Sequence, residues 1–104
     1  MIVSLKYLKE FLKRNKFSVS TSLKKEIGTM IKTEHFVKEM ADGTQLAVDF
    51  VKIGNGLVRV SILTYSKECK KFVWAKDSKE EVLYDLCPEL VRDFLVSTYK
   101  EISI

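Results

Sequence analysis

Cysteine, proline, glycine and histidine are all scarce in this chain of 104 residues, which holds two Cys, one Pro, four Gly and a single His. Two cysteines, Cys69 and Cys87, are too few for a disulfide scaffold. No CxxC pair or Cys/His cluster accompanies them, so both read as reduced, structural thiols with no bond between them. With His35 the only imidazole, no metal or cofactor is expected. The shortage of Gly and Pro excludes collagen-like repeats and disordered linkers. Apolar runs are only a few residues long, too short to span a bilayer. Lysines interleave with the apolar residues of MIVSLKYLKEFLKRNKF, where an export signal would keep the two apart. There is no glycine-rich phosphate loop, HExxH or GxSxG motif, so no enzymatic activity is expected. The expected compartment is the cytoplasm, or a host's cytoplasm for a viral gene, and no membrane partner is expected.

What is present is a balanced globular composition, 46% hydrophobic and 31% charged. At this length it forms one domain with one core, residues 1–104. The net charge is +4, unevenly spread. Residues 1–38 carry nine basic and three acidic side chains, whereas residues 79–104 carry three and six. A basic first third attracts phosphate backbones or acidic proteins; equally, a lysine-rich face can serve solubility alone.

Leu5, Leu8, Phe11 and Leu12 recur at helical spacing, so residues 2–15 read as an amphipathic helix ending near Asn15. Lys6, Lys9, Lys13 and Lys16 line its outer side, and Glu10 stands four residues from both Lys6 and Arg14. Ser22 followed by Leu23, Ile27, Met30 and Ile31 predicts a short helix over 22–28, with Gly28 weakening or ending it. Ala41-Asp42-Gly43 and Gly54-Asn55-Gly56 are turn signals separating β-rich runs 32–40, 44–53 and 57–65. Ser66-Lys67-Glu68 makes a third turn into 70–76. Ser78 and Glu81 form a capping box for a helix carrying Val82, Leu83 and Leu86. Pro88 either kinks that helix or opens a second one, with Val91, Phe94, Leu95, Thr98 and Ile102 continuing the apolar face. The expected fold class is therefore α+β: an N-terminal helix, a four-stranded antiparallel meander and a C-terminal helix or helix pair, in two layers. The helices are expected on one face of the sheet.

Four surfaces are candidates for function. Leu46, Val48 and Phe50 alternate with Ala47, Val51 and Ile53, so the sheet carries apolar residues on both sides. That excess fits a dimer interface or a groove on the face the helices leave open; helices on both faces would explain it equally. A homodimer, through sheet faces or edge strands, is the corresponding expectation. Tyr65, Lys67, Lys70, Lys71, Phe72, Trp74 and Lys76 interleave basic and aromatic residues, a pattern able to stack bases and hold phosphates. In outline, the meander followed by a helix is similar to the transcription-coactivator-like fold, which binds single-stranded DNA. The lysine stripe of the first helix, with Arg14, could dock on a phosphate backbone. Finally, Asp85, Glu89 and Asp93 recur at spacing four, which reads as a solvated stripe rather than acid–base machinery.

The expected function is a small non-enzymatic regulatory or accessory protein acting by protein–protein interaction. Small, lysine-rich chains of this kind are common among phage and mobile-element proteins. The alternative is a nucleic-acid-binding module. The residues expected to contact a partner or nucleic acid are Lys6, Lys9, Lys13, Arg14, Lys16, Tyr65, Lys70, Lys71 and Trp74.

Overall fold

The structure, a computed structural model, describes residues 4–53, 57–68, 70–74 and 88–104. Helix α1 (Leu5–Arg14) is followed by strands β1 (Ser18–Glu26), β2 (Thr29–Glu39), β3 (Gln45–Ile53), β4 (Leu57–Ser66) and β5 (Lys71–Trp74), then helix α2 (Pro88–Thr98). The strands lie in the order β1-β2-β3-β4-β5, every neighbouring pair antiparallel. The α+β class, the antiparallel sheet and the terminal helices thus match the sequence reading.

α1 starts where Ser4 caps it, its Oγ accepting a 3.0 Å bond from the Tyr7 amide. It stops in a Schellman motif. Lys16 takes φ 68°, the Phe17 amide donates to the Leu12 carbonyl, and the Lys16 amide donates to the Lys13 carbonyl. The accompanying hydrophobic contact is between Leu12 and Phe17, both buried. Leu8, Phe11 and Leu12 from α1 and Val91 and Leu95 from α2 share one core with Phe36, Leu46, Val48, Phe50, Val60 and Ile62 of the sheet. Register puts those six strand residues on one face, because Phe36 pairs with Val48 and Val48 with Ile62. Among the described residues, α1 and α2 therefore cover the same side of the sheet rather than opposite faces. Each fully buried large side chain contributes on the order of 1.5–3 kcal/mol.

The expected short helix over 22–28 is not formed. Residues 18–39 are instead a β-hairpin, and the sheet has five strands rather than four. The turn consists of Ile27 at φ 49° and Gly28 at φ 75°, between the paired residues Glu26 and Thr29. Two successive positive φ values define a type I′ loop, whose twist matches that of the flanking strands. The next turn, Ala41-Asp42-Gly43, forms as the sequence suggests. Gly43 has φ 87°, its amide donates to the Met40 carbonyl, and Asp42 accepts from the Thr44 amide at 2.9 Å.

β3 and β4 pair out to Ile53 and Leu57, the antiparallel geometry expected around Asn55-Gly56, though the turn itself lies outside the described residues. So do Cys69, Cys87, and the helix expected to carry Val82, Leu83 and Leu86 behind its Ser78–Glu81 capping box. α2 is described from Pro88 onward, and whether Pro88 kinks a longer helix or opens a new one turns on residues outside the described ones. Beyond it, Ile102 is buried and Asn15 clasps the tail. The Asn15 Oδ1 accepts from the Ser103 amide, and its Nδ2 donates to the Ser103 and Phe11 carbonyls, all at 3.0 Å.

Candidate functional site

The sheet face opposite the helices holds the most chemically varied cluster among the described residues. Register sets Ser20, His35, Asp49 and Ser61 in one row across β1 to β4, and Val37, Ala47 and Leu63 in the next. Val51 and Arg59 pair on the other side of the His35 row. His35 Nδ1 and Asp49 Oδ1 are hydrogen-bonded, both side chains being mostly buried. Burial pushes the Asp49 carboxyl above its usual range, and the hydrogen bond from His35 opposes that rise.

Phe72 meets His35 edge-on with ring centroids 5.2 Å apart, and meets Tyr65 at 5.5 Å. In a flat sheet, three strand spacings of about 4.8 Å would hold β5 well away from β2. The ring contact therefore reflects long side chains together with a sheet that curls so that β5 leans over this face. The result is a groove of about 460 Å³ lined by Asp49, Val51, Ser61, Leu63, Lys71, Phe72 and Val73. Its floor is apolar, Lys71 stands at one wall and the Asp49 carboxyl, hydrogen-bonded to His35, at another.

The residues singled out from the sequence fall into separate places. Tyr65 and Phe72 are register partners and share this face; Lys70 and Lys71 are exposed at the adjoining turn. Trp74 pairs with Leu63 in the register. The α1 lysines form no uniform outer stripe. Lys6 and Lys13 are exposed, but Lys9 binds Glu34 of β2 at 2.7 Å and lies 5.2 Å from the centroid of the Phe50 ring. A helical wheel places Lys9 beside Lys6 and Lys13, yet it cannot show that the sheet rises to meet that flank. Lys16 lies past the helix end. Arg14 does not pair with Glu10 but sits over the Tyr7 ring at 5.5 Å, where its guanidinium lowers the Tyr7 hydroxyl pKa. Arg14, Asn15, Lys16, Lys38 and Glu101 line a second, polar hollow of about 350 Å³. There Lys38 donates to the Asn15 carbonyl at 2.9 Å, and Glu101 accepts from the Ala41 amide at 2.9 Å. Glu89 and Asp93 flank Arg92 on α2 at 3.6 and 3.0 Å.

Sequence reasoning missed the His35–Asp49 pair, although a signal for it exists. A turn centred on Asp42 makes residues equidistant from it partners, and His35 and Asp49 are such a pair. Among the described residues no cluster of three or more His, Cys, Asp or Glu side chains could hold a metal ion. Nor is any described helix long and apolar enough to cross a membrane. Ser20 lies across from His35, but its hydroxyl makes no hydrogen bond to it among the described residues. No family model, no curated protein and no solved structure matches the chain. The outline likeness to the transcription-coactivator-like fold gains no support from that side.

Proposed function

We propose that the chain is a non-enzymatic accessory protein that acts by binding another protein, with the groove on the sheet face opposite α1 and α2 as its docking site. The observation that carries this reading is the groove itself, a partly exposed floor of Val51, Leu63 and Phe72 with a polar rim. Such a surface takes an apolar side chain of a partner and fixes its orientation through the rim. The strand alternation that puts apolar residues on both faces of β3 is thereby accounted for. Two cations that could hold phosphate are engaged within the chain instead, Lys9 with Glu34 and Lys38 with the Asn15 carbonyl.

A second reading rests on the paired rings of Tyr65 and Phe72 beside Lys70 and Lys71, a layout suited to stacking unpaired bases. One assay separates the two: binding of labelled single- and double-stranded DNA and RNA, titrated between about 50 and 200 mM salt. Docking to protein predicts weak, sequence-independent binding that Lys70→Glu with Lys71→Glu hardly alters. Tight binding with a steep salt slope, abolished by those substitutions, overturns the protein-docking reading in favour of nucleic acid. On the protein side, a photo-reactive residue at position 63 should crosslink one cellular protein, and Phe72→Ala should reduce that adduct.

A further inference from the structure

β1 is an edge strand, and its residues from Ser18 through Lys25 are all exposed. The opposite edge, β5, is only four residues long, with Phe72 and Val73 half-buried. Natural sheets normally shield a long edge with proline, a bulge or a charge pointing inward. The sequence of β1, SVSTSLKKE, carries no proline, and its register with β2 runs from Ser18↔Val37 to Glu26↔Thr29 without a bulge. Its charged residues, Lys24, Lys25 and Glu26, all stand at the hairpin end, so the lysines that commonly guard an edge leave Ser18–Leu23 uncharged.

We propose that β1 pairs antiparallel with β1 of a second copy of this chain, about a twofold axis at Thr21, joining the two sheets into one. This goes beyond the docking groove, which lies on the sheet face and plays no part in the contact. Three features converge on this register. The first is the direction of the backbone groups. A two-residue loop closes on a hydrogen-bonded pair, here Glu26 and Thr29, and such pairs then alternate along the ladder. Glu26, Lys24, Ser22, Ser20 and Ser18 thus turn their amides and carbonyls toward β2, while Val19, Thr21, Leu23 and Lys25 turn theirs to the open edge. An axis at Thr21 lets Thr21 bond its own copy and lets Val19 and Leu23 bond each other's copies, about six inter-chain bonds in all.

The second feature is side-chain matching. Val19 is 45% exposed and Leu23 is 67% exposed, and both stand on the same face of β1. With the axis at Thr21, each Val19 lies opposite the partner's Leu23, so two apolar cross-strand pairs close over surfaces left bare in the single chain. Shifting the axis to Ser22 would set Val19 against the partner's Lys25 and lose both pairs. The third is charge. In the Thr21 register Lys24 faces the partner's Ser18, and the two copies of Lys24 are six residues apart along the strands. At about 3.4 Å per residue that is some 20 Å, well beyond the Debye length of about 8 Å at physiological salt.

Sedimentation equilibrium on the full chain tests the proposal, with circular dichroism as the check on folding. The wild-type mass should rise with concentration from 12.0 kDa toward twice that value. Leu23→Glu places the new carboxylate beside Lys32, its register partner on β2, so the single chain stays folded. It removes both Val19–Leu23 pairs at once and should lower the association constant by about tenfold. Adding Val19→Lys to it creates two opposite-charge pairs in the proposed register and should restore most of the loss. Thr21→Pro removes only an outward-facing amide, a position where an edge strand tolerates proline. It should be monomeric up to about 1 mM, a concentration that would reveal even weak association. A wild-type chain that stays at 12.0 kDa under the same conditions, or a dimer undiminished by either Leu23→Glu or Thr21→Pro, overturns the proposal.

Discussion

Ile27 occupies a position that its own chemistry opposes. It is the first residue of the β1–β2 loop, at φ 49°, and its side chain is fully exposed. A left-handed backbone brings Cβ against the following carbonyl, at about 1–2 kcal/mol for an ordinary L-residue. β-branching makes the conformation rarer still. Nothing is recovered by packing, since the side chain covers no core. Ile27→Asn should therefore stabilise the protein. Asparagine tolerates this conformation, and Asn-Gly is the preferred pair for a type I′ turn. With Gly28 and the Glu26–Thr29 closing pair unchanged, the expected gain is about 1 kcal/mol, a rise in melting temperature of about 4–8 °C for a domain of this size. Urea denaturation should show a higher midpoint at an unchanged slope, since the surface exposed on unfolding is the same. Ile27→Val retains the β-branch and should give no gain; Ile27→Gly should give a smaller one, offset by the greater freedom of the unfolded chain. The reasoning is refuted if Ile27→Asn is no more stable than wild type, or if Ile27→Val stabilises as much. A helix over 22–28 makes the opposite prediction, because asparagine is the poorer residue in a helix interior.

Three further outcomes are expected. Lys16→Gly relieves the positive φ of 68° in the Schellman motif of α1 and should stabilise by about 0.5–1 kcal/mol, read from the urea midpoint. Asn15→Ala removes the three side-chain bonds that clasp Ser103 and Phe11; it should destabilise by about 1–2 kcal/mol and speed carboxypeptidase trimming of the tail. Asp49→Asn bears on pH. Burial raises the Asp49 pKa, so the folded chain holds this proton more tightly than the unfolded chain does, and stability contributed there is lost as pH rises through the folded value. Asparagine keeps an acceptor for His35 without the buried charge. Its melting temperature relative to wild type should therefore be higher at about pH 7 than at about pH 4, the range a carboxyl group governs; an equal difference at both would show that burial does not strain the carboxylate.

The elements most legible in the sequence were those whose local signals agree with their final contacts. α1 has its apolar stripe, the β2–β3 turn has its glycine at the left-handed position, and β4 alternates Val58, Val60 and Ile62 toward the core. β1 was illegible because Leu23, Ile27, Met30 and Ile31 imitate a helical stripe, while the residue expected at a type I′ turn, Asn or Asp, is replaced by Ile27. The candidate site was half legible. Tyr65 and Phe72 lie close enough in sequence to be grouped, but the His35–Asp49 pair depends on the β2–β3 register. Its meeting with Phe72 depends on the curl of the sheet, which no local pattern encodes. The misplacement of Lys9 has the same origin, since a wheel describes a helix in isolation and Glu34 belongs to a strand.

The hairpin arm and the core follow different rules. Among the described residues, the fully buried core positions carry apolar side chains. On the arm, Leu23, Ile27 and Met30 are exposed apolar residues and one of them sits in a disfavoured conformation. Residues that lower the stability of the single chain without filling its core are those expected where a surface meets a partner. Self-pairing about Thr21 accounts for Leu23 and Val19 but spans only residues 18–24, so Ile27 and Met30 stand outside it. Ile27→Asn should consequently leave the monomer–dimer equilibrium unchanged while raising stability. If it weakens the dimer instead, the contact extends along the hairpin to its tip, and the axis must lie closer to the turn than Thr21.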